Sequence, residues 1–148
     1  MIALIQRVKR ARVTVEGAQV GAIGEGLLIL LGVHSADTRE VVPWLARKCV
    51  HLRIFPDEQG RMNRSVIDHG GTILVVSQFT LYGNAMKGNR PSFVESAGAE
   101  LAEPLYKMFC DEVSGHLGYP IESGEFGAMM DVELTNWGPV TFSIEKRN

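Results

Sequence analysis

Two cysteines in 148 residues, Cys49 and Cys110, stand far apart and form no C-x-x-C pair, so neither a disulfide framework nor a zinc ribbon is indicated. Both thiols are expected to be reduced and partly buried. The four histidines, His34, His51, His69 and His116, are scattered without H-E-x-x-H or similar ligand spacing, and no metal site or cofactor is expected. An excess of one charge is also missing. Lys and Arg total 15 against 17 Asp and Glu, a net charge of -2, which excludes a histone-like protein or a broad nucleic-acid coat. Any RNA contact must then be local. The candidate basic clusters are Arg7, Lys9, Arg10 and Arg12, then Arg61 with Arg64, and Lys87 with Arg90, each equally readable as a solvated face. No apolar run reaches membrane-spanning length, and the short run Met1 to Ile5 is followed by basic residues rather than by a long apolar region and a cleavage site. A cytoplasmic protein without a membrane partner is the expectation.

What is present is ordinary in amount and informative in order. With 45% hydrophobic residues, a chain of this length is expected to form one domain over residues 1–148 around a real core. The pattern is strand-rich with two main helices, a compact α/β fold. Residues 2–8 and 11–16 read as strands, Gly17 and Gly21 to Gly26 as turns, and Leu27 to Val33 as a buried strand. A helix is expected over about 38–50, with Asp37 and Thr38 as attractive caps and Pro43 in its first turn. Leu52 to Phe55 reads as a short strand before the turn at Pro56 to Gly60. A second helix over about 100–117 places Leu101, Leu105, Met108, Phe109 and Leu117 on one face, Pro104 near its start and Gly118 just past its end.

Two stretches carry chemistry. Thr72 to Val76 is a continuous apolar run, the pattern of a strand covered on both faces, and Ser77-Gln78-Phe79-Thr80-Leu81-Tyr82 is its exit. In a regular strand Ser77 and Phe79 point one way and Gln78 and Thr80 the other, so both hydroxyls serve one site only if the backbone bends. A bend would also free backbone N–H groups, and each such donor aimed at an oxyanion contributes roughly 2.7–4 kcal/mol to an acyl-transfer transition state. Taken alone, the motif also reads as a buried polar strand end.

The second stretch is Asn136-Trp137-Gly138-Pro139-Val140-Thr141. Before it, Ala128, Met130, Val132 and Leu134 alternate with Met129, Asp131, Glu133 and Thr135; after it, Val140, Phe142 and Ile144 alternate with Thr141, Ser143 and Glu145. The segment between two such runs reads as a hairpin tip. Glycine tolerates backbone angles closed to other residues, and X-Pro bonds are cis in about 5–6% of cases, so the tip can present bare carbonyl oxygens in an unusual direction. An ordinary Asn-x-Gly-Pro turn fits the same four residues.

Ser77 to Tyr82, Lys87-Gly88-Asn89-Arg90-Pro91-Ser92-Phe93, Phe126-Gly127-Ala128 and Gly138-Pro139-Val140-Thr141, in this order, resemble the D-aminoacyl-tRNA deacylase family. Gln6-Arg7-Val8, Leu52-Arg53-Ile54-Phe55 and Met62-Asn63 extend the resemblance over the whole chain. It implies a homodimeric hydrolase, without cofactor, that cleaves the ester between a D-amino acid and the terminal adenosine of tRNA. It also implies that Ser77, Gln78, Phe79 and Thr80 line the pocket for the adenosine and the scissile ester. Gly138 and Pro139, as a Gly-cis-Pro pair, would enter the partner subunit's pocket, hold the substrate amino group and reject an L-configured side chain, with Arg7 supporting their orientation. Glycyl-tRNA, with no side chain to reject, should be accepted too. Two roles stay open for Thr80: a nucleophile, for which neither motif supplies a histidine base, or a neighbour of backbone N–H donors at Phe79 and Thr80 while the ribose hydroxyl assists attack by water. The chain departs from the family's usual pattern at Trp137, where Asp is usual, and in the segment Gly83 to Met86.

Overall fold

Two apolar runs lie side by side at the centre of the molecule. In the computed structural model, which describes residues 1–148, β3 (Gly26–Gly32) and β6 (Thr72–Ser77) pair in parallel. Leu27, Ile29, Leu31, Ile73 and Val75 face a core of 25 buried residues shared with α1 (Val41–Val50) and α3 (Ala99–Leu117). Leu28, Leu74 and Val76 face the opposite way, into a core of 7 residues shared with β1 (Ile2–Val15) and β2 (Ala18–Ile23). Both faces are covered, which is why neither run alternates.

The expected strands over 2–8 and 11–16 are one continuous strand. β1 pairs with β3 through Ile2 to Val8 and with β2 through Ala11 to Val15, changing partner at the exposed Lys9 and Arg10 and so joining the two layers. Along this path the order is β2-β1-β3-β6-β7, where β7 is Glu122–Ser123, and β8 (Asp131–Glu145) pairs with β1. The pairs β1–β2, β1–β3 and β1–β8 are antiparallel, while β3–β6 and β6–β7 are parallel. The result is a mixed α/β domain. A separate ribbon of β4 (Phe55–Pro56) and β5 (Met62–Arg64) leads into the short helix α2 (Val66–His69), which Ser65 and Asp68 close with a capping box.

Several expectations shift. α1 begins at Val41, not near 38, because Asp37 is engaged elsewhere: its carboxylate takes the Met1 ammonium at 2.6 Å and the His34 N–H at 2.7 Å. Pro43 does fall in the first turn. α3 begins at Ala99, which puts Pro104 in its second turn, and its buried stripe is Ala102, Leu105, Tyr106, Phe109, Val113 and Leu117, with Leu101 turned outward. The strand expected over 52–55 shortens to Phe55–Pro56, since the Ile54 carbonyl accepts from Arg7 instead of from a ladder neighbour. Cys49 is buried and Cys110 half-buried, both unpaired, and burial pushes the Cys49 thiol up to about 12 and that of Cys110 up to about 11. No helix is long and apolar enough to cross a membrane.

The largest correction concerns β8. Residues 131–136 and 141–145 do not pair with each other as a hairpin. Both pair with β1 in the same antiparallel sense, from Asp131 opposite Thr14 to Glu145 opposite Ile2. Between Asn136 opposite Val8 and Thr141 opposite Gln6, the chain advances five positions on β8 against two on β1. Gly138 and Pro139 thus belong to a bulge thrown out from a continuous strand.

Candidate functional site: a bent strand end and a distant bulge

β6 stops at Ser77, and Phe79–Tyr82 form one 3₁₀ turn, so the bend required for a site at this strand end is present. Gln78 holds the strand to its neighbour through its N–H, which donates to the Leu31 carbonyl at 2.8 Å. The first N–H groups of a helical turn have no partner inside it, and those of Phe79 and Thr80 donate to no backbone carbonyl elsewhere. The turn is fixed from behind. Ser96 Oγ donates to the Phe79 carbonyl at 2.8 Å, and Phe93 meets the Phe79 ring edge-on at 5.1 Å between centroids.

The Thr80 hydroxyl accepts from Gln78 Nε2 at 2.5 Å. An amide is no base, so nothing here activates Thr80 as a nucleophile. His34, which bridges to Ser96 near this turn, uses Nδ1 to accept the Ala36 N–H and packs edge-on against Tyr82. Burial and the facing carboxylates of Glu145 and Asp37 raise the Tyr82 hydroxyl far above its ordinary value, leaving it a neutral donor to Glu145.

Beside the bend lies a largely apolar cavity of about 520 Å³. Ser77, Gln78 and Phe79 form one wall, and Phe126, Gly127 and Ala128 form another, so two separated sequence motifs meet at one opening. Tyr106, whose hydroxyl donates to the Val75 carbonyl at 2.9 Å, and Met129, 90% exposed, complete its floor and rim. Nothing in the spacing pointed to Tyr106. A polar depression along Asp57 to Arg64 has similar size, about 560 Å³, but a single apolar lining residue, and so cannot bury a base or side chain.

The bulge is a separate structure. Asn136 spans it: its Oδ1 accepts the Val140 N–H at 2.7 Å, while its Nδ2 donates to the Val140 carbonyl at 3.2 Å and to Thr141 Oγ1 at 3.1 Å. Arg7, 7% exposed, donates from Nε to the Trp137 carbonyl at 2.9 Å and from Nη1 to the Ile54 carbonyl at 2.5 Å. Burial draws its pKa down from the ordinary arginine value. Gly138 has φ +149°, and a Cβ there would meet Val140 Cγ2 at 2.6 Å, so only glycine fits. The Gly138–Pro139 peptide is cis, and both residues are exposed.

Of the residues singled out from sequence, the fold thus brings Ser77, Gln78, Phe79 and Thr80 together, and Arg7, Gly138 and Pro139 together. It does not unite the two groups. The bulge on β8 lies beside Arg7 of β1, Arg7 sits opposite Leu27, Leu27 opposite Ile73, and Ser77 is four residues further along; with strands ~4.8 Å apart and ~3.3 Å per residue, the separation of bulge and bend is on the order of 20 Å. The cavity lining includes neither Gly138 nor Pro139.

The candidate basic clusters differ in how far they are neutralised. Lys9 pairs with Glu25, Arg12 with Glu133 and Arg64 with Glu58, whereas Lys87 and Arg90 sit exposed without an ion pair in the loop between the 3₁₀ turn and Phe93. That loop adjoins Phe79.

A mixed α/β domain with an apolar cavity beside unpaired N–H donors defines a site able to hold a flat apolar group and stabilise an oxyanion next to it. The family model described as D-Tyr-tRNA(Tyr) deacylase matches residues 4–145. Proteins named D-aminoacyl-tRNA deacylase are similar along the full length: that of Salinibacter ruber is 58% identical over 147 residues, covering 99% of this chain and 98% of its own. That of Halalkalibacterium halodurans is 54% identical over 147 residues, covering 99% and 100%. Among solved structures, a c-Myc DNA unwinding element binding protein superposes with a TM-score of 0.92 at 42% identity, covering 100% of both chains. A probable eukaryotic D-amino acid tRNA deacylase has a TM-score of 0.81 at 20% identity, covering 97% of this chain and 98% of its own, a likeness of fold. The chain belongs to the D-Tyr-tRNA(Tyr) deacylase family. Its activity is that of a D-aminoacyl-tRNA deacylase, a carboxylic ester hydrolase.

Proposed function

We propose that the working enzyme is a homodimer in which each cavity beside Ser77 to Thr80 receives Gly138 and Pro139 from the partner chain. The separation of bulge and cavity within one chain carries this reading: a gate on the order of 20 Å from its own pocket can act only on another. The exposed bulge and the long edge of β8, which has β1 as its one ladder neighbour, give a second copy a surface to approach.

In this reading the terminal adenosine occupies the apolar cavity, and the ester carbonyl points at the N–H groups of Phe79 and Thr80. Water adds to the carbonyl carbon, assisted by the adjacent ribose hydroxyl. Negative charge gathers on the carbonyl oxygen between the two donors. The carbon–oxygen bond to the ribose then breaks, the ribose oxygen takes a proton, and free D-amino acid and tRNA leave. Thr80 serves as a neighbour of the donors, since its hydroxyl faces an amide and no base. Lys87 and Arg90, exposed and free of ion pairs in the loop whose Phe93 touches Phe79, would meet the tRNA backbone.

The carbonyl oxygens of Gly138 and Pro139 accept the substrate's ammonium and leave no room on the side where an L side chain would project. Main-chain atoms inspect the α-carbon without reading the side chain, so many D-amino acids pass, and glycine passes as well. Selectivity built as a clash against the wrong hand spares the abundant L-esters. A substrate of charged tRNA supports a reaction in the cytoplasm.

Deacylation of D-tyrosyl-, L-tyrosyl- and glycyl-tRNA by purified protein, with the mass of the active species measured in parallel, tests this. D-tyrosyl- and glycyl-tRNA should be cleaved and L-tyrosyl-tRNA spared, by a dimer. Equal cleavage of both hands, or full activity in a monomer, would remove the cross-subunit gate. Binding of duplex DNA unwinding elements without ester cleavage would instead align the chain with its 42% identical structural relative.

A further inference from the structure

The residue just before Gly138 is held from more sides than any ordinary bulge residue requires. The Trp137 ring has Lys9 Nζ 3.6 Å from its centroid and Arg7 Cζ at 4.6 Å. The His69 ring is tilted against it at 5.6 Å, and Phe55 meets it edge-on at 6.2 Å while stacking on His69 at 4.6 Å. Glu25 ties Lys9 to the His69 ring, with one carboxylate oxygen 2.8 Å from Lys9 Nζ and the other 2.9 Å from His69 Nε2. Three separate elements, β1, β4 and α2, thus converge on a single side chain of β8 whose neighbour is the gate glycine.

We propose that Trp137 is a specificity-determining positioning residue: held against Lys9 and Arg7 and packed on His69, it fixes the direction of the Gly138 carbonyl and thereby the ratio of D- to L-ester hydrolysis. This rests on the gate described above. The argument is geometric. Arg7 pins the Trp137 carbonyl, which sets the plane of the Trp137–Gly138 peptide, and the ring contacts fix the side chain from which that plane hangs. On the far side Asn136 ties down Val140. The Val140 N–H that Asn136 holds shares a planar peptide with the Pro139 carbonyl, so only the Gly138–Pro139 peptide remains between the two anchors, and both carbonyl directions follow from where the anchors stand. Cation–aromatic attraction survives partial exposure, which suits Lys9, and the Glu25 carboxylate keeps the Lys9 ammonium over the ring rather than in solvent. Trp137 touches no substrate in this arrangement; it acts through Gly138.

The test is the D-to-L ratio of kcat/KM on tyrosyl-tRNA for the intact protein and for Trp137→Ala, Trp137→Phe and Lys9→Met, with the unfolding midpoint of each. Trp137→Ala is expected to lower the ratio by about tenfold or more through a rise in L-ester hydrolysis, Lys9→Met by about threefold, and Trp137→Phe to restore most of the ratio. Lys9→Met removes the ammonium while leaving an apolar stem, so it reports on these contacts even where Trp137→Ala folds poorly. A ratio kept within about twofold in folded Trp137→Ala and Lys9→Met, or a loss of both rates in proportion to a lowered midpoint, would overturn the positioning role and leave the gate standing. Absence of D preference in the unaltered protein would instead strike the gate itself.

Discussion

The bend at Ser77 to Thr80 and the bulge at Gly138 and Pro139 both end in exposed backbone polar groups, yet they are built in opposite ways. The bulge is tied down: Asn136 makes three hydrogen bonds across it, Arg7 reaches its first carbonyl, and Trp137 is held behind it. The bend is left open, with two N–H groups unpartnered and a hydroxyl that meets only an amide. A gate that works by clash must not yield, since yielding would admit the wrong hand. Donors that stabilise an oxyanion must be unpaired until the reaction charges their target. Immobility and vacancy are the two requirements, and each region meets one of them.

Substitutions can separate the two. Phe79→Pro removes one N–H at a position whose 3₁₀ geometry admits proline, next to Gln78 at φ -142° and ψ 80°. It should lower kcat on D-tyrosyl-tRNA by about 10²-fold while the D-to-L ratio holds. A loss below tenfold in well-folded protein would deny that N–H its role, and the comparison would fail at the bend. Arg7→Ala should have the next largest effect, on stability: it strands the carbonyl of Ile54, which is 3% exposed, and frees that of Trp137. About 3 kcal/mol of unfolding free energy should be lost, read from denaturant titration, together with selectivity.

Asn136→Ala removes the bonds across the bulge but leaves Arg7 and Trp137 in place, so a loss of about 1 kcal/mol is expected, with a modest fall in the D-to-L ratio. A ratio unmoved by both Arg7→Ala and Asn136→Ala would show that the bulge needs no anchoring. Thr80→Ala is the smallest. Its hydroxyl accepts one bond from Gln78 at the surface, and kcat should fall by less than about tenfold in single-turnover deacylation; a loss of several orders with tRNA binding intact would restore Thr80 as the nucleophile.

The bend was legible before the fold. A run of five apolar residues followed by Ser-Gln-Phe-Thr says that a doubly covered strand ends there, and sharing of the two hydroxyls already required a turn of the backbone. Gly138 was legible as a residue with unusual backbone angles, and it has φ +149°. The bulge as such was not. Period-2 alternation on either side of Gly-Pro is the same for two strands that pair with each other and for two halves of one strand that pair with a third. The role of Trp137 was hidden for the same reason, because Arg7, Lys9, Phe55 and His69 reach it only after β1 and β8 have paired.

By itself, then, the chain's order of residues determined which segments are strands and helices, which strands must be buried on both faces, and where two backbone irregularities fall. Those are short-range matters of side-chain period, backbone freedom and apolar content. Tertiary structure alone decided that β8 lies along β1 rather than back on itself, that Asp37 serves the N-terminal ammonium instead of capping α1, and that cavity and bulge stand apart in one chain. Each depends on which distant partner wins a hydrogen bond or an ion pair, and that competition is settled by the packing of the whole core rather than by neighbours in sequence.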